Sequence, residues 1–118
     1  MAGFWDLAIY QRSVRLADDL HRSVLAWRSI DRWTVGAQLI RAADSIGANI
    51  AEGLGRAGSQ DRRRMLLIAR GSSYELQHWL ARAQARELPR PEDAMDRAQD
   101  ISRMLNGLIR SWTRRLND

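Results

Sequence analysis

The sequence contains no cysteine and no lysine, and only two of its 118 residues are proline. The absence of cysteine excludes disulfides and thiolate metal sites, and it is typical of a reducing compartment. No apolar run approaches the roughly 20 residues that cross a bilayer, and the first six residues do not resemble a signal peptide. We therefore expect one cytoplasmic domain over residues 1–118 with no membrane partner.

Charge is the next unusual feature of the composition. All 19 basic residues are arginine, and against 14 acidic residues they give a net charge of +5. Guanidinium groups suit phosphate and carboxylate partners, but a codon-biased genome would also replace lysine with arginine throughout. We favour compositional bias for the missing lysine. The positive excess still requires a partner or another reason.

Apolar residues repeat at helical spacing along most of the chain, and no segment alternates like a strand. The pattern predicts helices over residues 4–28 and 34–53, a third after an N-cap at Ser59, and a fourth starting at Pro91. The expected core residues of the first helix are Leu7, Tyr10, Val14, Ala17, Leu20, His21 and Val24, and those of the second are Val35, Leu39, Ala42, Ile46 and Gly53, with Ile40, Ala43, Ile50 and Leu54 beside them. The expected core residues of the third helix are Met65, Leu66, Ala69, Ser72, Leu76, Leu80 and Ala83. Those of the fourth are Ala94, Ala98, Ile101, Leu105, Leu108 and Trp112.

Long helices joined by short connections favour antiparallel neighbours, so the sequence predicts an all-α, antiparallel up-down four-helix bundle. The second helix is apolar or small over more than the arc of about 100° that a bundle helix needs. Five tryptophans are also more than a small core can bury. Both features indicate an oligomer interface, where aromatic residues are enriched. The alternative is that some tryptophans cap the ends of the bundle.

Three strings carry a resemblance to a known family. Residues 41–53 (RAADSIGANIAEG), followed by Arg56, resemble the signature of the four-helix-bundle proteins encoded in 23S ribosomal RNA intervening sequences. Residues 67–72 (LIARGS) and 104–109 (MLNGLI) continue the likeness, which covers nearly the whole chain. Gly47 stands where the family usually has proline, and Tyr10 and Ser13 stand where it usually has tryptophan and alanine.

The resemblance implies a bundle that assembles into a homopentameric ring. It also implies kinship with the accessory variability determinant of diversity-generating retroelements, a basic pentameric barrel that binds nucleic acid and a reverse transcriptase. We therefore expect a non-enzymatic binding module without a cofactor. Its expected partners are further copies of itself, RNA or DNA, and a protein such as a reverse transcriptase. The alternatives are a purely structural or protein-binding oligomer and, more remotely, a di-metal carboxylate enzyme.

The enzyme alternative depends on acidic residues placed three positions before a histidine. Glu75 and His78 have the Glu-x-x-His spacing of di-iron bundles, and Asp18 and His21 have a similar one, with Glu52 as a further carboxylate. A working site requires two such pairs and two more carboxylates, all pointing inward. After its first turn, the body of the fourth predicted helix offers only Asp96 and Asp100, both off its core face. We therefore expect no metal ligand and no catalytic residue.

The polar residues of the family-like strings are Arg41, Asn49, Glu52, Arg70 and Glu75. They could form a surface for a partner. They could instead form a hydrogen-bonded network that fixes the second helix against the third or against a neighbouring subunit. We favour the network, because all five lie near the edge of an apolar stripe.

One end of the predicted bundle is basic. Both termini and the turn between the second and third helices share it, and residues 1–14, 50–66 and 107–118 contain eight arginines and four acidic residues, a net charge of +4. Three arginines occupy the first turn of the third helix, where the helix dipole disfavours each cation by roughly 0.3–1 kcal/mol. An unfavourable placement indicates a use, although a merely solvated face is the alternative. The expected nucleic-acid contacts are Arg56, Arg62, Arg63, Arg64, Arg114 and Arg115.

Overall fold

The computed structural model describes residues 3–55 and 58–117. Within these ranges the chain is all α, with no strand, as the sequence predicts. Its four long helices are α1 (Ala8–Leu25), α2 (Ala37–Gly55), α3 (Ser59–Ala85) and α4 (Ala94–Asn117). The molecule measures 51 × 27 × 21 Å, and a helix as long as α3 spans about 40 Å of that length. No helix in the described ranges is long and apolar enough to cross a membrane.

Each long helix packs against its neighbours in the sequence, and α1 also packs against α4. The α2–α3 and α3–α4 contacts are the most extensive, and α1 and α4 share the least. Between α1 and α3, and between α2 and α4, no Cα atoms of the described residues come within 8 Å of each other. The four helices therefore surround one core, in which Leu39, Ile50, Leu76 and Leu105 are completely buried.

The first helix is shorter than the predicted range of residues 4–28. Phe4–Asp6 forms a separate 3₁₀ turn, and extended backbone at Leu7 interrupts the helix before Ala8. At the other end, α1 stops at Leu25 because the chain turns to bury Trp27, whose indole Nε1 donates to the Pro89 carbonyl at 2.7 Å. The tryptophan therefore ties the end of α1 to the connection between α3 and α4.

Two short helical turns, Ser29–Asp31 and Arg32–Gly36, lead into α2, and the second of them is π-helical. Gly36 allows the close approach of α1 at this point. A methyl group on Gly36 would lie 2.6 Å from Val24 Cγ1 and 3.1 Å from the Asp31 carbonyl oxygen. Contacts this short are not tolerated in a packed interior, so the crossing requires glycine.

The predicted starts of the last two helices are wrong by small amounts. Gly58 is the N-cap of α3, and Ser59 is its first helical residue, without a side-chain cap. The fourth helix begins at Ala94 rather than Pro91, because the Asp93 carbonyl accepts the first helical bond, from the Arg97 N–H at 2.9 Å.

Glu87 ends α3 in a left-handed conformation, with φ of 57°. The N–H groups of Glu87 and Leu88 then donate to the carbonyls of Gln84 and Ala83 at 3.0 and 2.9 Å. This pair of bonds is a Schellman motif, a helix end that usually places glycine at the left-handed position.

The core prediction is confirmed for α3 and wrong in part for α1. All seven expected core residues of α3 are buried. In α1, however, Leu7 and His21 are exposed and Tyr10 and Val14 are only half-buried. The buried residues of α1 are Ile9, Ser13, Leu16, Ala17, Leu20 and Val24. The helix is rotated from the predicted stripe because its inner face must serve both α2 and α4.

The wide apolar arc of α2 is used within the chain. The buried residues of α2 are Leu39, Ala42, Ala43, Ile46, Gly47, Ile50 and Gly53. They divide between the two neighbouring helices. A methyl group on Gly47 would lie 3.1 Å from Val14 Cγ1, and one on Gly53 would lie 2.9 Å from Met65 Cβ. The width of the arc therefore serves two intramolecular contacts, and Ile40 and Leu54 at its edges remain half-buried.

Candidate functional site

The expected basic end is built where α3 begins and α4 ends. The Arg63 side chain crosses between the two helices, and its Nε donates to Thr113 Oγ1 at 2.7 Å. The Thr113 hydroxyl in turn donates to the Ile109 carbonyl at 2.8 Å. Arg63 is thus oriented by an uncharged partner, and its positive charge is not neutralised by that contact.

Two more of the expected arginines meet on Trp112. The Arg115 guanidinium carbon lies 4.3 Å from the centre of the indole ring, and that of Arg62 lies 5.3 Å from it. These distances are typical of cation–π contacts, which hold a cation without removing its charge. Trp112 therefore gathers guanidinium groups from both α3 and α4.

The other expected contacts are Arg64, Arg114 and Arg56. Arg64 and Arg114 are exposed, whereas Arg56 lies outside the described residues. The described ion pairs join Asp19 to Arg22 and Arg97, Asp93 to Arg97, and Asp100 to Arg103. In the described part of the chain, none of Arg63, Arg64, Arg114 and Arg115 is in an ion pair. These four arginines thus differ from Arg22, Arg97 and Arg103, whose guanidinium groups pair with aspartates.

An open groove runs between α3 and α4 at this end. Its lining residues are Gln60, Asp61, Arg63, Arg64, Leu67, Thr113, Leu116 and Asn117. Guanidinium and amide groups donate hydrogen bonds to phosphate oxygens. One carboxylate, that of Asp61, also lines the groove, so the donors outnumber the single anionic side chain.

Three of the five polar residues of the family-like strings have described hydrogen bonds, and these bonds do not join the three to one another. Asn49 donates to the Ser45 carbonyl at 2.7 Å and to its hydroxyl at 2.9 Å. Arg70 donates to Asn106 Oδ1 at 3.0 Å and therefore joins α3 to α4. Glu75 accepts a bond from the Trp79 indole within α3, at 3.3 Å. Arg41 and Glu52 are both exposed on α2.

The polar contacts between helices come mainly from serine, and of these serines the sequence pattern placed only Ser72 in the core. The Ser45 and Ser72 hydroxyls lie 2.8 Å apart and join α2 to α3. The Ser73 and Ser102 hydroxyls lie 2.7 Å apart and join α3 to α4, and Gln77 also donates to Ser102 at 2.8 Å. The sequence signal that could have predicted these contacts is the presence of serine at inward-facing positions of the helical pattern.

The residues of the metal hypothesis do not come together. His21 and His78 are exposed, and so are Asp18, Glu52 and Glu75. Across residues 3–55 and 58–117, no three histidine, aspartate or glutamate side chains are grouped closely enough to hold a metal ion. His21 was placed on the core stripe of the first helix by the sequence pattern, and that placement is wrong because the helix is rotated.

Comparison with known protein families shows the family of the chain. The sequence model of the 23S rRNA-intervening sequence protein matches residues 5–107. The chain belongs to this family. The matched region of this intervening-sequence protein includes the start of α3 and its arginines, but ends before Trp112 and Thr113. No curated protein sequence matches the chain.

Proposed function

We propose that this intervening-sequence protein is a non-enzymatic module that binds the phosphate backbone of RNA or DNA through its basic end. The observation that carries the proposal is the contrast in arginine environments. Arg63 is held by a threonine and Arg115 by a tryptophan. Arg22, Arg97 and Arg103 are instead paired with aspartates. An oriented cation without a carboxylate partner is available to a phosphate.

The proposal includes an antiparallel up-down arrangement of the four helices. Hydrogen bonds between α3 and α4 support it, because rising residue numbers in α3 meet falling numbers in α4. Arg63 contacts Thr113, Arg70 contacts Asn106, and Ser73 contacts Ser102. In this arrangement the turn between α2 and α3 shares one end of the molecule with both termini, which brings the expected arginines together.

We also propose that the protein assembles into a homopentameric ring. Among the described tryptophans, Trp27 is buried but Trp33 is 78% exposed, and large exposed aromatic side chains are typical of interfaces. If the ring keeps the basic ends together, five copies of a +4 end place about twenty positive charges on one rim. Such a rim binds phosphates without reading base sequence.

A titration tests the nucleic-acid proposal. The wild-type protein is added to a labelled RNA hairpin and to a labelled DNA duplex, and binding is followed by anisotropy at several salt concentrations. We expect binding to both, with affinity that falls steeply as salt rises. Replacing Arg62, Arg63 and Arg64 with glutamine should weaken binding to every sequence and flatten the salt dependence. No binding to either probe near physiological salt would contradict the proposal.

Assembly is tested separately by light scattering at micromolar concentration. We expect a particle about five times the chain mass of 13.5 kDa. The triple arginine variant should give the same particle, because these side chains lie outside the core. A 13.5 kDa species would contradict assembly without deciding whether the monomer binds nucleic acid.

A purely structural or protein-binding oligomer is the second candidate function. It is favoured by an apolar groove at the opposite end of the molecule, lined by His21, Val24, Leu25, Arg32, Trp33, Ala37 and Ile40. Ile30 beside it is 66% exposed. This candidate predicts an assembly of the same size that binds neither nucleic-acid probe. A protein partner such as a reverse transcriptase would then occupy the exposed apolar surface.

The absence of enzymatic activity is also a proposal. It is supported by the outward position of both histidines and of the acidic residues that precede them in the sequence. Elemental analysis of the purified protein should find no stoichiometric iron, manganese or zinc. Two metal ions per chain that are lost on Glu75→Ala would contradict it and would support a di-metal enzyme.

A further inference from the structure

Trp5 is a second tryptophan near the basic end, and it takes no part in the contacts of Trp112 and the arginines described above. Trp5, in the 3₁₀ turn before α1, is 63% exposed. Its ring is nevertheless held in place, 4.2 Å from the Phe4 ring at a tilt of 35° and edge-on to Tyr10 at 5.6 Å. Gln11 fixes the backbone of the turn by donating to the Trp5 carbonyl at 3.0 Å. The indole is therefore an oriented apolar surface open to solvent.

The position of this turn follows from the packing of α1 on α2. Val24 faces Gly36 near the start of α2, and Val14 and Tyr10 face Gly47 farther along it. Lower residue numbers in α1 therefore face higher residue numbers in α2. The 3₁₀ turn that contains Trp5 also contacts α2. Gly53, near the end of α2, lies against the start of α3 at Met65. Trp5 and the first-turn arginines of α3 consequently occupy the same end of the molecule.

The two tryptophans of this end are differently placed. Trp112 already has the Arg62 and Arg115 guanidinium groups over its ring. Trp5 has no cation over its ring in the described part of the chain. The Phe4 ring packs against its indole at a tilt of 35°, and Trp5 nevertheless remains 63% exposed. Of the two indoles, Trp5 is therefore the one that can receive another flat group.

We infer that the basic end takes single-stranded nucleic acid, with one unpaired base stacked on Trp5 while the arginines hold the backbone. This inference rests on the proposed nucleic-acid function and names the form of nucleic acid preferred. Unpaired bases stack on aromatic side chains whatever their identity, because every base has a π face. Bases inside a duplex are already stacked on one another, so a duplex offers the arginines phosphates but offers Trp5 nothing.

Three probes of equal length test the inference: a single-stranded oligothymidine, an abasic strand with the same phosphates, and a DNA duplex. Binding is measured with the wild-type protein, Trp5→Ala and Trp5→Phe. We expect Trp5→Ala to weaken binding of the oligothymidine about ten-fold, since stacking on an aromatic side chain is worth roughly 1–3 kcal/mol per base. Its binding of the abasic strand and the duplex should be unchanged, and Trp5→Phe should retain most of the affinity.

Equal affinity of wild type and Trp5→Ala for the oligothymidine would overturn the inference. So would an equal loss for all three probes, or a smaller particle in light scattering, because Trp5 would then be an assembly residue covered by a second copy. These results leave the proposed function standing, since the wild-type protein would still bind the abasic strand and the duplex. Failure of the wild-type protein to bind any probe would reject the proposed function itself, and the inference with it.

Discussion

The two ends of the molecule place their tryptophans in different environments. At the end formed by the connection between α3 and α4, Trp27 is buried and its indole is bonded to the Pro89 carbonyl. At the basic end, Trp5 is exposed and Trp112 has arginines over its ring. A buried tryptophan therefore closes the core only at the connection end, although Trp33 at that end is 78% exposed. Neither Trp5 nor Trp112 at the basic end is buried.

The described arginines also lie in two kinds of environment, because some pair with a carboxylate and others are held by an uncharged group. Arg97 bridges α4 to α1 through Asp19, at 2.9 Å, and Arg22 bonds the same carboxylate at 2.7 Å. Arg63, at the start of α3, is instead bonded to a threonine. The two arginines paired with Asp19 therefore stabilise the fold, but only slightly, because an exposed ion pair contributes at most about 1 kcal/mol. The contact with a neutral group leaves the charge of Arg63 uncompensated by that bond.

The largest expected effect comes from removing the tryptophan that closes the connection end. Trp27→Ala should lower the free energy of unfolding by about 3–5 kcal/mol, since it leaves a cavity in the core. Trp33→Ala at the same end is the matched control for the single chain, because that side chain is 78% exposed; at protein concentrations too low for assembly it should change stability by no more than about 0.5 kcal/mol. Urea denaturation at such a concentration measures both variants. Similar losses for the two variants there would contradict the packing of Trp27 in the core.

A smaller effect is expected at the crossing of α1 and the start of α2. Gly36→Ala should destabilise the protein by about 1–3 kcal/mol, because its methyl group would overlap Val24. Gly71→Ala provides the control. Gly71 is a glycine of α3 with nothing within 4 Å of the added methyl, so alanine there should stabilise the helix by about 0.5–1 kcal/mol. Thermal unfolding of the two variants should move in opposite directions, and a shared direction would contradict the packing described here.

The smallest effect is expected at Glu87, also at the connection end. Its left-handed backbone suits glycine better than a residue with a side chain. Glu87→Gly should therefore raise stability by up to about 1 kcal/mol, partly offset by the greater freedom of glycine in the unfolded chain. Glu87→Ala separates the loss of the carboxylate from the backbone effect and should not stabilise. A gain from alanine equal to that from glycine would show that charge, not conformation, is responsible.

The fold was predictable to the extent that burial follows helical spacing. The third helix has one apolar stripe, and every residue on it is buried. The first helix offers two overlapping stripes that share Ala17, Leu20 and Val24, and spacing alone could not choose between them. The choice is made by contacts with both α2 and α4, which are distant in the sequence. For the same reason, the exposure of His21 could not be foreseen.

The candidate site was predictable in composition but not in its contacts. The cluster of arginines in the first turn of α3 is visible in the sequence. Its anchoring is not, because the Arg63–Thr113 bond joins residues 50 positions apart and depends on the register of α3 against α4. The break at Leu7, which creates the turn that presents Trp5, likewise has no proline or glycine to signal it.

The central claim is that arginines without carboxylate partners, and not arginines in general, bind phosphate. The most direct test compares two variants that lose the same charge, Arg63→Gln with Arg64→Gln at the basic end and Arg22→Gln with Arg103→Gln along α1 and α4. Each is titrated with a labelled single strand from 50 to 200 mM salt. The first pair should weaken binding roughly ten- to a hundred-fold and reduce the salt slope by about one to two. The second pair should bind nearly as the wild type does, and equal losses for the two pairs would contradict the account.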